Sequence, residues 1–137
     1  MGSRDSKSLS VTISCNGGDA VERLVAGTRD FCQSCAIETG RAARLVIMIE
    51  ELATNLVEHG GIGEDGAIEL ILTHGEGVVA IMLSDSGASF DPRAARSPAD
   101  IPERGGGAGI DLVRAWADIV DYRSQGGRNR LSLKMWL

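Results

Sequence analysis

The chain has 137 residues, of which 43% are hydrophobic, 24% charged and only 4% aromatic. A chain of that length buries a proper core without disulfides or structural metal, so neither a mini-protein nor a two-domain enzyme is expected. The formal net charge of −5 argues against a basic surface for a nucleic-acid backbone and favours proteins or small molecules as partners. Glycine is in excess at 18 positions, about twice its usual share.

The longest apolar stretches, such as Val78 to Leu83, fall far short of the roughly 20 residues a membrane helix needs. The first residues lack the pattern of a secretory signal, although Met1-Gly2-Ser3-Arg4-Asp5-Ser6 fits a loose myristoylation motif. Residues 1–7 are expected to be a polar tail before a single domain, 8–137, in a cytoplasmic protein with no membrane contact. Cys32-Gln33-Ser34-Cys35 has no second cysteine pair or histidine cluster to complete a zinc site. Reduced, buried thiols are expected.

In chain order, Leu9, Val11 and Ile13 alternate with small polar residues over Ser8 to Ser14, a half-buried strand. Asn16-Gly17-Gly18-Asp19 breaks it. From Asp19, Val21, Leu24, Val25, Thr28, Phe31, Cys32 and Cys35 recur at helical spacing and predict a helix ending before Gly40. A second helix carries the stripe Leu45, Met48, Ile49, Leu52 and Leu56 and runs to about Glu58 or His59, before Gly60-Gly61-Ile62-Gly63.

Ala67 to His74 and Val78 to Ser84, joined through Gly75-Glu76-Gly77, read as a β-hairpin. Hydrophobic periodicity then collapses between Asp85 and Gly109, long for a loop without structure of its own and the usual mark of a functional lid. A helix is predicted over Ile110 to Ala117, then strands over Ile119 to Tyr122 and Asn129 to Trp136, turning at Gln125-Gly126-Gly127. The order β-α-α-β-β-loop-α-β-β is rich in hairpins and poor in parallel crossovers. It predicts an α+β two-layer sandwich, with a mixed, mostly antiparallel sheet and helices on one face. A polar loop rather than a strand precedes Gly107-Ala108-Gly109-Ile110, which argues against a dinucleotide-binding Rossmann unit.

Three clusters carry candidate chemistry. Glu51 and Asn55 lie four residues apart on one face of the second helix, with His59 one turn on. They read either as the solvated edge of an amphipathic helix or as a site. Asn is a poor mid-helix residue, and an oxygen ligand for a hard cation is one reason to place it there. Asp85 ends a hydrophobic strand two residues before Gly87. It reads as a turn former or as an acceptor for a purine exocyclic amine beside a glycine that permits close approach. Arg104-Gly105-Gly106-Gly107-Ala108-Gly109-Ile110 feeds a helix. It reads as a flexible linker or as an anion site of backbone N–H groups with a cation beside it.

Taken together, in this order and at these intervals, the three clusters resemble the GHKL (Bergerat-type, histidine kinase-like) ATP-binding superfamily, over nearly the whole span from Leu9 to Leu137. Within it they are most similar to the anti-sigma-factor serine/threonine kinases of bacterial partner-switching systems. Glu50 through Gly60 looks like the first box of that family, Asp85-Ser86-Gly87 with Phe90-Asp91-Pro92 the second, Gly107-Ala108-Gly109-Ile110 the third, and Gly127 to Leu133 the last strand. Ser89 stands where many relatives have glycine, and the glycine run after Arg104 is one residue longer than the family pattern.

The resemblance implies ATP and Mg²⁺ as cofactors. Asn55 would hold the metal, and Glu51 would act as catalytic base or orienting group. Asp85 and Gly87 would receive the adenine. Gly105, Gly106, Gly107, Ala108, Gly109 and Ile110 would cradle the phosphates under a lid over about Arg93 to Ala108. Arg104 would reach the terminal phosphate, and either Asn129 or Ser132 would supply a polar group near the adenine. It further implies a Ser/Thr kinase whose substrate is a STAS-type anti-anti-sigma protein, with a sigma factor as a second partner, a homodimer, and transcription regulation by partner switching. The alternative is a nucleotide-gated binding module that transfers no phosphate.

Overall fold

The alternation seen in the sequence becomes a sheet with one apolar face. In the computed structural model, which describes residues 9–16, 19–59, 66–86 and 106–137, five strands are laid down. They are β1 (Leu9–Asn16), β2 (Ala67–Gly75), β3 (Val78–Asp85), β4 (Asp118–Gln125) and β5 (Arg128–Trp136). Their spatial order is β1-β2-β3-β5-β4. All four pairings are antiparallel, so the sheet expected as mixed and mostly antiparallel contains no parallel pair among the described strands. The two-layer α+β architecture is as expected.

Because side chains alternate across a strand, register decides which residues share the buried face. Ile13 faces Leu70, Leu70 faces Leu83, and Leu83 faces Leu131. With Ile68, Leu72, Val79, Ile81, Leu133 and Met135 they form the sheet side of the core. Against it pack α1 (Ala20–Ser34), α2 (Thr39–His59) and α3 (Gly106–Trp116). These contribute Leu24 and Phe31 from α1, Leu45, Met48, Ile49 and Leu52 from α2, and Val113 from α3, all buried. Each such aliphatic or aromatic side chain is worth roughly 1.5–3 kcal/mol on burial, more than the local backbone cost of about 1 kcal/mol at a left-handed residue. The helix layer approaches the sheet closely at Gly27, where a Cβ would run into the Ile13 side chain.

The first two helices end where their periodicity places them, and the third starts earlier. The first stops at Ser34, well before Gly40, because Ala36 turns left-handed at φ 53°. Ile37 N–H donates to Cys32 O at 3.0 Å and Ala36 N–H to Gln33 O at 3.2 Å, the paired bonds of a Schellman C-cap that normally uses glycine. The second helix starts on Glu38, whose carboxylate accepts N–H bonds from Gly40 at 2.9 Å and Arg41 at 3.1 Å. The third begins at Gly106, four residues earlier than the spacing predicts. Arg44 of α2 stacks over the Trp116 ring of α3 with its guanidinium carbon 5.6 Å from the centroid. The hairpin between β2 and β3 turns on two residues with positive φ, Glu76 at 56° and Gly77 at 77°. At β4 and β5, Gly126 and Gly127 do the same at 61° and 79°.

Ala36 and Glu76 therefore hold a conformation that costs a side chain-bearing residue about 1 kcal/mol. Ala36→Gly and Glu76→Asn should each raise the unfolding free energy by about that amount, read as a higher urea midpoint at unchanged slope. The two backbone N–H bonds at Glu38 hold its carboxyl below the usual glutamate range. A group depressed on folding stabilises above its unfolded pKa and loses that contribution as pH falls through the folded one. Glu38→Ala should therefore lower the melting temperature at neutral pH, with the gap to the parent protein closing on acidification below the glutamate range.

Candidate functional site

Glu51 and Asn55 lie in the C-terminal half of α2, next to the core positions Leu52 and Ala53. Their four-residue spacing puts them on one side of the helix, and both are half-buried. Asn55 is the residue whose chemistry is incomplete: its Nδ2 is buried with no hydrogen-bond partner among the described residues. An amide left this way costs about 1–3 kcal/mol, so the position is expensive for the fold by itself.

At the end of β3, Asp85 continues the parity of Val79, Ile81 and Leu83 and so falls on the buried face, 5% exposed. Its cross-strand neighbour on β5 is Asn129, 3% exposed and in the same parity as Leu131, Leu133 and Met135. Asn129 Nδ2 donates to Asp85 Oδ1 at 3.0 Å. Asn129 Oδ1 in turn accepts from the Ser124 hydroxyl of β4 at 2.7 Å. Ser132 pairs with Met82 and Asp121 and has the opposite parity, which places it on the other face of the sheet. Of the two candidates left open by the sequence, Asn129 is the one beside Asp85. The parity of Asn129 with Leu131 and Leu133 was readable in the sequence. The partnership with Ser124 required the β4–β5 register and was missed.

The remaining cluster comes to the same end of the fold through chain direction. Strand β2 starts where β3 ends, with Ile68 opposite Asp85, and Ala67 N–H donates to Ser86 Oγ at 3.2 Å. Residues 60–66 join the end of α2 to that point. Strand β4, which follows α3, starts at the other end, with Asp118 opposite Lys134. The contact between Arg44, near the start of α2, and Trp116, at the end of α3, gives the two helices opposite directions. The first turn of α3 and the last turns of α2 therefore point toward the Asp85 end. Gly106, Gly107, Ala108 and Gly109 open that helix, with Ile110 next, and the first backbone N–H groups of a helix have no intrahelical acceptor and face the positive end of its dipole.

Gly87, Arg104, Gly105 and the stretch expected as a lid lie outside the described residues, except for Gly106, Gly107 and Ala108 at the head of α3. The side chain of His59 lies outside them too. The three cysteines are free thiols, with Cys15 and Cys32 buried and Cys35 half-buried. Burial pushes all three thiols up, which keeps them protonated and poorly nucleophilic. Among the described residues no helix is long and apolar enough to cross a membrane.

Residues 18–135 match the histidine kinase-like ATPase domain family, and the chain belongs to it. That membership implies ATP binding. The chain is 31% identical over 94 residues to the serine/threonine-protein kinase BtrW of Bordetella bronchiseptica, covering 65% of this chain and 66%, just under two thirds, of BtrW. Its fold is similar to that of SiaB–SiaC from Pseudomonas aeruginosa, a solved complex, at TM-score 0.53 and 16% identity over 99% of this chain and 94% of that one. The Erythrobacter litoralis EL346 blue-light activated histidine kinase matches at TM-score 0.58 and 14% identity, over 89% of this chain and 42% of its own. This chain thus spans less than half of that kinase.

The orphaned amide makes a measurable statement about stability. Asn55→Leu, which removes the buried unpaired donor while keeping similar bulk, should stabilise the ligand-free protein by about 1 kcal/mol, visible as a rise of a few degrees in melting temperature.

Proposed function

We propose that the chain is an ATP- and Mg²⁺-dependent protein-serine/threonine kinase of the anti-sigma-factor type, acting on a Ser or Thr of a STAS-domain antagonist. The observation that carries this reading is its similarity to a named serine/threonine kinase, BtrW, over 94 residues, beside the family match over residues 18–135. The SiaB–SiaC complex, similar in fold over nearly the full length of both chains, fits a domain that works bound to a protein partner.

The residues present suit a nucleotide. Asn55 carries an Nδ2 that is buried without a hydrogen-bond partner among the described residues, Asp85 is an acceptor on the buried face, and α3 begins with glycine and alanine, a helix N-terminus that suits phosphate oxygens. In this reading Asn55 Oδ1 holds the metal, which when bound neutralises phosphate charge. Gly106, Gly107, Ala108, Gly109 and Ile110, with Gly105 before them, present backbone N–H groups to the phosphates. Asp85 accepts from the purine amine beside Gly87, and Arg104 reaches the terminal phosphate. Glu51, one turn before Asn55, orients the attacking hydroxyl and takes its proton. Phosphoryl transfer asks for positioning and charge neutralisation more than covalent chemistry, so this short set is sufficient. A sigma factor as second partner, a homodimer and a cytoplasmic location accompany the reading.

Incubation with ATP, Mg²⁺ and a cognate STAS-domain protein should transfer the γ-phosphate to a Ser or Thr of that protein. Glu51→Ala should reduce labelling by about 10²–10⁴-fold, the range for loss of a general base, with ATP affinity within a few-fold of the parent. Undiminished labelling in Glu51→Ala removes Glu51 from the base role. Absence of labelling in the parent, with ATP still changing the affinity for the partner, identifies a nucleotide-gated binding module instead.

A further inference from the structure

Three side chains stand in one row across three strands. Ser124 of β4, Asn129 of β5 and Asp85 of β3 are successive cross-strand partners, joined by hydrogen bonds of 2.7 and 3.0 Å. Asn129 is 3% exposed and Asp85 5% exposed, and the row continues onto Ile68 of β2. Residues directly opposite on a sheet face interact most strongly. The Asn129–Asp85 contact is polar and buried, where unmatched donors and acceptors are costly, while Ser124 stands at the exposed end of the row with its bond to Asn129 part-buried.

The row has a polarity that chemistry enforces. A carboxylate only accepts hydrogen bonds, so the Asn129 amide must turn its NH₂ to Asp85. Its Oδ1 then faces Ser124, whose hydroxyl must donate. An inverted amide would set oxygen against carboxylate on one side and leave the hydroxyl to find another acceptor on the other. Each member thus fixes the next, from the Ser124 hydroxyl to the rotation of the Asp85 carboxyl group.

We propose that Ser124 and Asn129 are positioning residues that lock Asp85 as an acceptor of fixed orientation, and that this lock sets the preference of the site for a 6-amino purine over a 6-oxo purine. The inference rests on the reading of Asp85 as the base-recognising residue and adds what makes that recognition selective. An adenine amino group donates to the locked carboxylate. The hypoxanthine O6 at the same place is an acceptor facing an acceptor, and rejecting it depends on the carboxyl group being unable to rotate away. Sites built to pair a substrate N–H reject analogues lacking it far more strongly than sites that only measure size.

The test is calorimetric titration of the full chain, with Mg²⁺, by ATP and by ITP, which differ at the 6-position through an amino group on one and an oxygen on the other. The parent protein should bind ATP at least about a hundredfold more tightly than ITP. Ser124→Ala should compress that ratio by about tenfold, Ser124→Thr should restore it, and Asn129→Leu should bring it to within a few-fold of unity. If Asn129→Leu does not fold, judged by circular dichroism, the Ser124 pair decides alone. A ratio unchanged in Ser124→Ala, with both nucleotides weakened equally or not at all, overturns the lock. Asp85→Asn separates the two layers of the argument. A parent ratio that survives Asp85→Asn refutes Asp85 as the reader of the base, whereas a ratio lost in Asp85→Asn and kept in Ser124→Ala refutes only the lock.

Discussion

A carboxylate carried onto the apolar face of a sheet is costly unless it is hydrogen-bonded, and the fold is arranged so that Asp85 can sit there. The parity that buries Val79, Ile81 and Leu83 continues onto Asp85, and the β3–β5 register sets Asn129 against it. The β4–β5 hairpin sets Ser124 against Asn129 in turn. That hairpin needs the left-handed pair Gly126 and Gly127, since a shift of one residue would send Asn129 to the other face. The central strand pairing and the buried polar row are therefore one constraint.

The helix layer answers to a different physics. Its attachment comes from Leu24, Phe31, Leu45, Met48, Ile49 and Val113, a stripe that tolerates the unfavourable Ala36 and the unpaired amide of Asn55 because each of those costs less than one or two buried side chains return. A buried polar atom without a partner among the described residues is a feature that calls for an explanation. In α2 it occurs one turn after Glu51 and on the part of the helix directed to the Asp85 end. Asn55 of α2 and Asp85 of β3 lie toward the end of the fold at which α3 begins.

Much of this was legible in the sequence. The β1 span follows from alternation and the β2 and β3 spans from runs rich in β-branched and aliphatic residues between turn signals, and the stripe Leu45, Met48, Ile49, Leu52 and Leu56 gives α2 to its observed end. What misled is also physical. Glycine suppresses helical expectation, so the head of α3 read as loop, although the structure carries the helix back to Gly106. The end of α1 falls before Gly40 as expected, on a Schellman cap built on alanine that carries none of the usual glycine signal. The residue near Asp85 stayed undecided between Asn129 and Ser132, although their opposite parity relative to Leu131 and Leu133 already separated them.

The sequence by itself determined the element order and the apolar faces, because periodicity and residue type are local properties of the chain, and it showed the resemblance of the three clusters to one family pattern. The tertiary structure alone decided that every described strand pairing is antiparallel, that α2 and α3 run in opposite directions, and that Ser124 joins Asn129 and Asp85 in a row. Those facts depend on register between segments distant in sequence. Register is set by how the whole apolar face closes, which no single stretch of residues encodes.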